Sequence, residues 1–279
     1  MIQTSKIAFI GGGNMTRAIV GGLIAEMSEA TRPAVVIAEP DSAKADALAA
    51  DFGVQVTADN HQAVDGAGIV VMAVKPQVMQ TVAQELASSI TAEQLLVSIA
   101  AGIPGAVFSS WFAGHEQWVR AMPNTPALVN SGATGLFAPD CVSSEQRNDV
   151  ESLLRSVGLA QWFADEGMLD AVTAVSGSGP AYVFYLMEAM MAEARALGLN
   201  DADARVFTLE TVYGAAKLAL SAADDPATLR ARVSSPGGTT EQAIATLDQR
   251  GVSDAVRAAM QAAFKRSQEL AEQAGQNKT

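Results

Sequence analysis

The chain has one cysteine, Cys141, among 279 residues, which excludes an intrachain disulfide and any cysteine-based zinc site. That residue reads as a small buried or half-buried side chain rather than a nucleophile. Positive charge is also scarce. Lys and Arg total 18 against 30 Asp and Glu, a net charge of -12, and no basic run interrupts the acidic balance. General binding to nucleic acid or to an anionic membrane is therefore not expected. No segment approaches the roughly 18 continuous apolar residues of a membrane helix. The first residues run almost directly into a strand, Lys6 to Ile10, with no cationic leader ahead of a cleavable apolar stretch, so a cytoplasmic protein is expected. Aromatic residues are only 5% of a chain that is 49% hydrophobic, while Ala-rich and Met-rich stretches in the second half suit closely packed helices. The length allows a substantial core and two domains.

What the chain does contain falls into two halves. Up to about residue 165, short β-branched runs alternate with amphipathic stretches. Candidate strands are Lys6 to Ile10, Ala34 to Ala38, Ile69 to Val74, Leu95 to Ile99 and Trp118 to Ala121. Two further runs, Gly135 to Ala138 and Ala160 to Phe163, bracket a polar helix starting near Ser143 and extend the sheet. This alternation predicts a parallel sheet flanked by helices. From Glu166 onward the strand signals stop. Pro180 is placed to open a helix over Ala181 to Leu197, Gly198 to cap its C-terminus, and a second helix runs from Asp201 to about Ala222. Val183, Phe184, Leu186, Met187, Met190 and Met191 leave this region apolar on more than one face, so they meet either a core or another subunit. Residues 1–165 are thus read as a nucleotide-binding domain and 166–279 as an all-helical domain.

The strand Ile7 to Ile10 leads into Gly11-Gly12-Gly13-Asn14-Met15-Thr16, with a helical pattern after it and a second strand ending at Ala38-Glu39. That context makes the G-x-G a dinucleotide-binding turn of a Rossmann-type, doubly wound α/β sheet. Gly11 permits the tight turn, and Gly13 lets the backbone approach a pyrophosphate. Thr16 stands where Gly or Ala is usual, and predicts slightly looser packing of helix on strand. Glu39 occupies the position whose carboxylate takes the adenosine ribose hydroxyls. Against a 2'-phosphate at about 4 Å it would cost on the order of 4 kcal/mol at an effective dielectric of about 20, with Lys44 the nearby cation. This argues for NADH, unless the helix turns Glu39 outward into solvent.

Ser234-Ser235-Pro236-Gly237-Gly238-Thr239-Thr240-Glu241 leads into a helical pattern through Ala243, Ile244 and Leu247. The glycines hold the turn open and Thr239 or Thr240 can cap the helix, aiming backbone amides at an incoming carboxylate. A capped helix after a glycine turn is also ordinary architecture. In its wider frame, with Pro226, Leu229, Val233 and Asp248, this segment resembles the signature of the pyrroline-5-carboxylate reductases. Arg120-Ala121-Met122-Pro123-Asn124-Thr125-Pro126 and Ser176-Gly177-Ser178-Gly179-Pro180-Ala181-Tyr182 extend the resemblance over nearly the whole chain. It implies reduction of a cyclic imino acid to L-proline by NADPH or NADH. It also implies that Met122, Pro123 and Asn124 lie beside the nicotinamide. Asn60 and Ala73-Val74-Lys75-Pro76 match cofactor contacts, although Lys75 reads equally as a solvated strand-end lysine. The substrate carboxylate is assigned to Ser235, Gly237, Gly238, Thr239 and Thr240, with Ser176 and Gly177 alongside, and Thr173 or Thr240 to the ring nitrogen. Glu166 matches an acidic position near the cofactor and reads equally as a helix-start residue. The resemblance further implies an all-α C-terminal dimerisation domain, hence a homodimer, with a decamer of five dimers as its larger form.

The chemistry suits these residues. Reducing C=N needs a hydride at carbon and a proton on nitrogen, and a ring bound as an iminium is already activated. Neither histidine, His61 or His115, lies in a candidate substrate motif, so positioning would carry the catalysis. No metal site is expected. Two rival readings stand beside this one. A β-hydroxyacid dehydrogenase would need Lys and Asn where alignment on Gly177 and Gly179 puts Val183 and Leu186. A non-catalytic NAD(P)-sensing protein would keep the glycine turn without the pocket at Ser235 to Thr240.

Overall fold

Alternate residues of the first strand face opposite sides of a sheet, and both sides are buried: Ile7 and Phe9 pack into one apolar layer, Ala8 and Ile10 into the other. The computed structural model describes residues 2–276. In it β1 (Lys6–Ile10), α1 (Asn14–Glu26), β2 (Ala34–Ala38), α2 (Ser42–Phe52), β3 (Gln55–Thr57), α3 (Asn60–Val64), β4 (Ile69–Met72), α4 (Pro76–Leu86), β5 (Leu95–Ser98), α5 (Gly105–Trp111) and β6 (Trp118–Met122) alternate along the chain. They are followed by β7 (Gly132–Phe137), α6 (Ser144–Arg155), β8 (Gly158–Trp162) and α7 (Met168–Val172). The sheet order is β3-β2-β1-β4-β5-β6-β7-β8, parallel except where β7 runs against β6. The order reverses between β1 and β4, which is the crevice where doubly wound sheets place ligands. Ile19, Leu23, Val97, Val119 and Leu153 fill one layer, and Met72, Met79, Leu96, Phe108 and Trp118 fill the other.

The expected strands form with small differences. β4 stops at Met72 because Pro76 starts α4 and Lys75 is its extended N-cap. β7 begins at Gly132, three residues earlier than expected, and β3 has too few apolar residues to announce itself. Ser143 caps α6 through a full capping box with Gln146. Cys141 is exposed, a correction to its expected burial: it lies in the turn before α6, its Sγ 3.3 Å from the Glu116 carbonyl.

By packing, the chain divides into residues 1–178 with 263–279 as one compact unit, and 179–262 as the other. Residues 277–279, at the end of the expected helical domain, lie outside the described residues. The boundary read from the sequence was 165/166. Residues 166–178 pack with the sheet because Leu169 and Ala174 are buried there. The last turns of the C-terminal helix do the same, with Ser267 Oγ donating to Asp170 at 2.6 Å. The second unit consists of α8 (Gly179–Ala196), α9 (Asp201–Ser221), α10 (Pro226–Arg232), α11 (Thr239–Gln249) and the first part of α12 (Val252–Gln276). Here the core reading of the apolar helices gives way. Val183, Phe184 and Leu186 are exposed, Met187, Met190 and Met191 are half-buried, and Tyr185 and Leu220 stand 76% and 90% exposed. Among the described residues no helix is long and apolar enough to cross a membrane.

Candidate active site

The turn after β1 is built for close approach. Gly11 has φ +103°, and a Cβ on it would stand 2.9 Å from the Ala73 carbonyl oxygen, so neither its conformation nor its space admits a side chain. Gly11 N–H donates to Ala38 O and Ala73 N–H to Ile10 O, both at 2.9 Å, tying together the ends of β1, β2 and β4. Gly13 is the N-cap of α1, exposed, with no side-chain cap and no acidic residue in the first turn. The first helical bond is Arg17 N–H to Gly13 O at 3.0 Å, which leaves the amides of Asn14, Met15 and Thr16 without intrahelical acceptors. Three amides at an open helix end fit a dinucleotide pyrophosphate.

Thr16 does not loosen the packing. Its side chain is fully buried and its hydroxyl donates to Gly11 O at 2.6 Å, so the β-branched residue braces the turn from beneath. Glu39 is not turned outward either. It is buried, with Oε2 accepting from Gly12 N–H and Oε1 from Asp41 N–H, both at 3.0 Å. A Cβ on Gly12 would meet Leu48 Cδ1 at 2.5 Å and Glu39 Oε2 at 3.0 Å. Asn60 opens α3 half-buried, behind the N-cap Asp59. Ala73 and Val74 are half-buried at the end of β4, with Lys75 and Pro76 exposed at the start of α4.

A second cluster lies between β6 and β7. Pro123 is buried after Met122, and the Asn124 side chain is held at both ends: Nδ2 donates to Ser176 Oγ at 2.9 Å and Ser176 O at 3.2 Å, while Oδ1 accepts from Ala133 N–H at 2.9 Å. Ser176 Oγ in turn donates to Ala133 O at 3.1 Å. The methyl of Met122 lies against Gly177. Residues 173–177 form a π-helical turn, closed by Ser178 N–H to Thr173 O at 2.8 Å. Such turns are rare and concentrate at functional sites. The Thr173 hydroxyl donates to Leu169 O at 2.7 Å, which leaves it able only to accept from a ligand.

In the helical unit, the Ser235 to Thr240 loop departs from expectation in one respect. The N-cap of α11 is Gly238, with no side-chain cap, and Thr239 and Thr240 are its first two helical residues. Gly238 N–H closes a turn on Ser235 O at 2.9 Å, and Gly237 N–H is taken by Glu241 Oε2 at 2.7 Å. The first helical bond is Gln242 N–H to Gly238 O, so the unpartnered amides belong to Thr239, Thr240 and Glu241. The open amides of this helix end therefore begin at Thr239, because Gly238 N–H is already committed to Ser235 O. Among the described residues, the Ser235 and Thr240 hydroxyls have no protein partner.

Arg120 and Glu166 form an ion pair that their separate motifs do not announce. Glu166 Oε1 accepts from Arg120 Nη1 and from Gly105 N–H, both at 2.6 Å, so it joins β6 to the start of α5. An apolar groove beside β7 and β8, lined by Leu159, Phe163, Met168, Val172 and Val175, offers almost no polar group and does not suit a charged ligand. Among the described residues no cluster of three or more His, Cys, Asp or Glu is placed to hold a metal ion.

Comparison with known proteins decides the family. The pyrroline-5-carboxylate reductase of Pseudomonas aeruginosa is 47% identical over 275 residues, which cover 99% of this chain and 100% of that one. The chain belongs to the pyrroline-5-carboxylate reductase family. Residues 166–270 match the family model described as pyrroline-5-carboxylate reductase dimerisation, and residues 6–102 that described as NADP oxidoreductase coenzyme F420-dependent. The solved reductase of Coxiella burnetii superimposes with a TM-score of 0.88 at 42% identity, covering 96% of this chain and 99% of that one. The Plasmodium falciparum pyrroline carboxylate reductase, solved with NADP bound, shares the fold with a TM-score of 0.85 at 24% identity, over 97% of this chain and 100% of that one.

Within this member of the reductase family, the residues missed from sequence are those acting through backbone contacts. Ala133 contributes its N–H and C=O alone, which no side-chain pattern reveals. Arg120 did carry a signal, a charge inside the apolar strand Trp118–Met122. A buried charge requires a partner, and Glu166 is that partner.

Proposed function

We propose that this chain reduces L-1-pyrroline-5-carboxylate to L-proline with NADPH or NADH, the final step of proline biosynthesis. The observation that carries the reading is the presence of two helix N-termini of the same kind. α1 behind Gly11 and α11 behind Gly238 each have a glycine N-cap, no side-chain cap and three amides without intrahelical acceptors. One suits a pyrophosphate and the other a small carboxylate.

In this reading residues 1–165 bind the dinucleotide and 166–279 bind substrate and a second subunit. Gly11, Gly12, Gly13, Asn14 and Met15 take the pyrophosphate, and Glu39 the adenosine ribose. Asn60, Ala73, Val74, Lys75 and Pro76 line the rest of the dinucleotide site, and Met122, Pro123 and Asn124 the nicotinamide side. The bound nicotinamide supplies a hydride for C5 of the ring. Ser235 Oγ, Thr240 Oγ and the amides of Thr239 and Thr240 hold the substrate carboxylate, Gly237 and Gly238 shape that turn, and Ser176 and Gly177 fix the π turn. Thr173 accepts from the ring N–H, because its own hydroxyl proton is committed to Leu169 O. It therefore orients an iminium and does not deliver a proton. The chain is cytoplasmic and forms a homodimer through the exposed apolar faces of α8 and α9, with a decamer of five dimers as a further assembly. The test is the initial rate of NADPH and NADH oxidation with racemic pyrroline-5-carboxylate. Turnover with either nucleotide is expected, and absence of turnover with both would sink the reading.

A further inference from the structure

Glu39 is held at both oxygens. Glu39 directly follows β2 at 8% exposure, where Oε2 accepts from Gly12 N–H and Oε1 from Asp41 N–H, both at 3.0 Å. Swinging it outward would strip two amides of their acceptor, one of them inside the glycine turn. Each carboxylate oxygen keeps a further lone pair, so the group can still accept two hydroxyl protons. A phosphate in the same place brings no proton at its charged oxygens and carries the same sign.

The neighbouring charges do not offset this. Lys44 Nζ lies 3.6 Å from Asp41 Oδ2, and Arg17 is paired with Asp51 and stacked over Phe52. Asp41 adds a second carboxylate within two residues. The Lys44 backbone N–H, foremost among several hydrogen bonds, holds it below the usual carboxylate range, so it is ionised at neutral pH.

We infer that Glu39 both braces the Gly12 amide and selects against a phosphate on the adenosine ribose, so that this chain prefers NADH. The inference rests on the nucleotide site of the reading above and is independent of the substrate. It is tested by calorimetric titration of the whole protein with ADP-ribose and with 2'-phospho-ADP-ribose, for wild type and for Glu39→Gln and Glu39→Ser, with melting temperatures as a check on folding. Wild type is expected to favour ADP-ribose at least about tenfold. Glu39→Gln keeps the shape and one carbonyl acceptor, and brings the two ligands within about threefold, chiefly by tightening the phosphorylated one. Glu39→Ser moves the ratio the same way while weakening ADP-ribose. The inference is overturned if wild type binds the phosphorylated ligand as tightly, or if both variants weaken the two ligands equally, as loss of a brace alone would do. If wild type binds neither, the nucleotide site itself fails, whereas the turnover assay judges the reductase reading separately.

Discussion

Asn124 and Ser176, 52 residues apart, share two hydrogen bonds, from Asn124 Nδ2 to Ser176 Oγ at 2.9 Å and to its carbonyl at 3.2 Å. Both residues also bond to the backbone of Ala133, so three segments meet in one closed network. A network of this kind rigidifies only while every member is satisfied. The loop after β6 and the π turn after α7 therefore hold or fail together.

Removing one member exposes that dependence. Asn124→Ala leaves Ala133 N–H without its acceptor and Ser176 with only its bond to Ala133 O, and should cost about 2 kcal/mol of stability. Ser176→Ala in the same background should cost less than it does alone, because one of its two hydroxyl bonds, the one from Asn124, has already gone. Denaturant unfolding of the two single variants and the double variant measures the coupling, and strict additivity would remove it.

Gly12 and Gly13 should respond differently to the same change. A Cβ on Gly12 meets Leu48 and Glu39, so Gly12→Ala should lose about 1–3 kcal/mol of stability. A Cβ on Gly13 meets nothing within 4 Å, so Gly13→Ala should stay within about 1 kcal/mol of wild type while losing NADH affinity. Melting curves beside NADH fluorescence titrations separate the two. Equal stability losses would contradict the packing around Gly12.

Glu166 is a brace between α5 and β6. The Arg120 side chain is 10% exposed, so Glu166→Ala strands its charge together with the Gly105 amide and should destabilise by about 3 kcal/mol. Glu166→Gln keeps an acceptor and should cost less. Chemical denaturation of both variants provides the check, and an Ala variant as stable as wild type would refute it.

A pH dependence follows at the start of α10. Asp225 caps that helix, and its carboxyl is held below the usual 3.8, first by the Thr228 backbone N–H and then by the Thr228 hydroxyl. Because the folded value is the lower one, the cap's contribution is complete above pH 3.8 and fades as pH falls through the folded value. The melting-temperature gap between wild type and Asp225→Ala should hold steady over about pH 5–8 and narrow towards about pH 2.5. A gap unchanged at low pH would count against the cap.

Much of this protein was legible before folding. The alternation of β-branched runs with amphipathic stretches marked seven of the sheet's strands, because a strand buried on both faces must be apolar throughout. Gly11 and Gly13 announced a nucleotide turn, since a tight strand-to-helix turn and an open helix end both need a missing side chain. The segments Pro226 to Asp248, Arg120 to Pro126 and Ser176 to Tyr182 carried the resemblance to the family.

Other features were not written in residue types. That Glu39 faces inward, that Thr16 braces Gly11, that Gly238 rather than a threonine caps α11, and that Asn124 spends its amide on Ser176 all depend on which backbone N–H or C=O comes within about 3 Å. The sequence by itself determined which segments become strands and helices and which small residues may turn. Only the tertiary structure decided which polar groups those turns consume and which remain open to a ligand, because a buried donor is costly without an acceptor and the fold chooses which acceptor comes within reach.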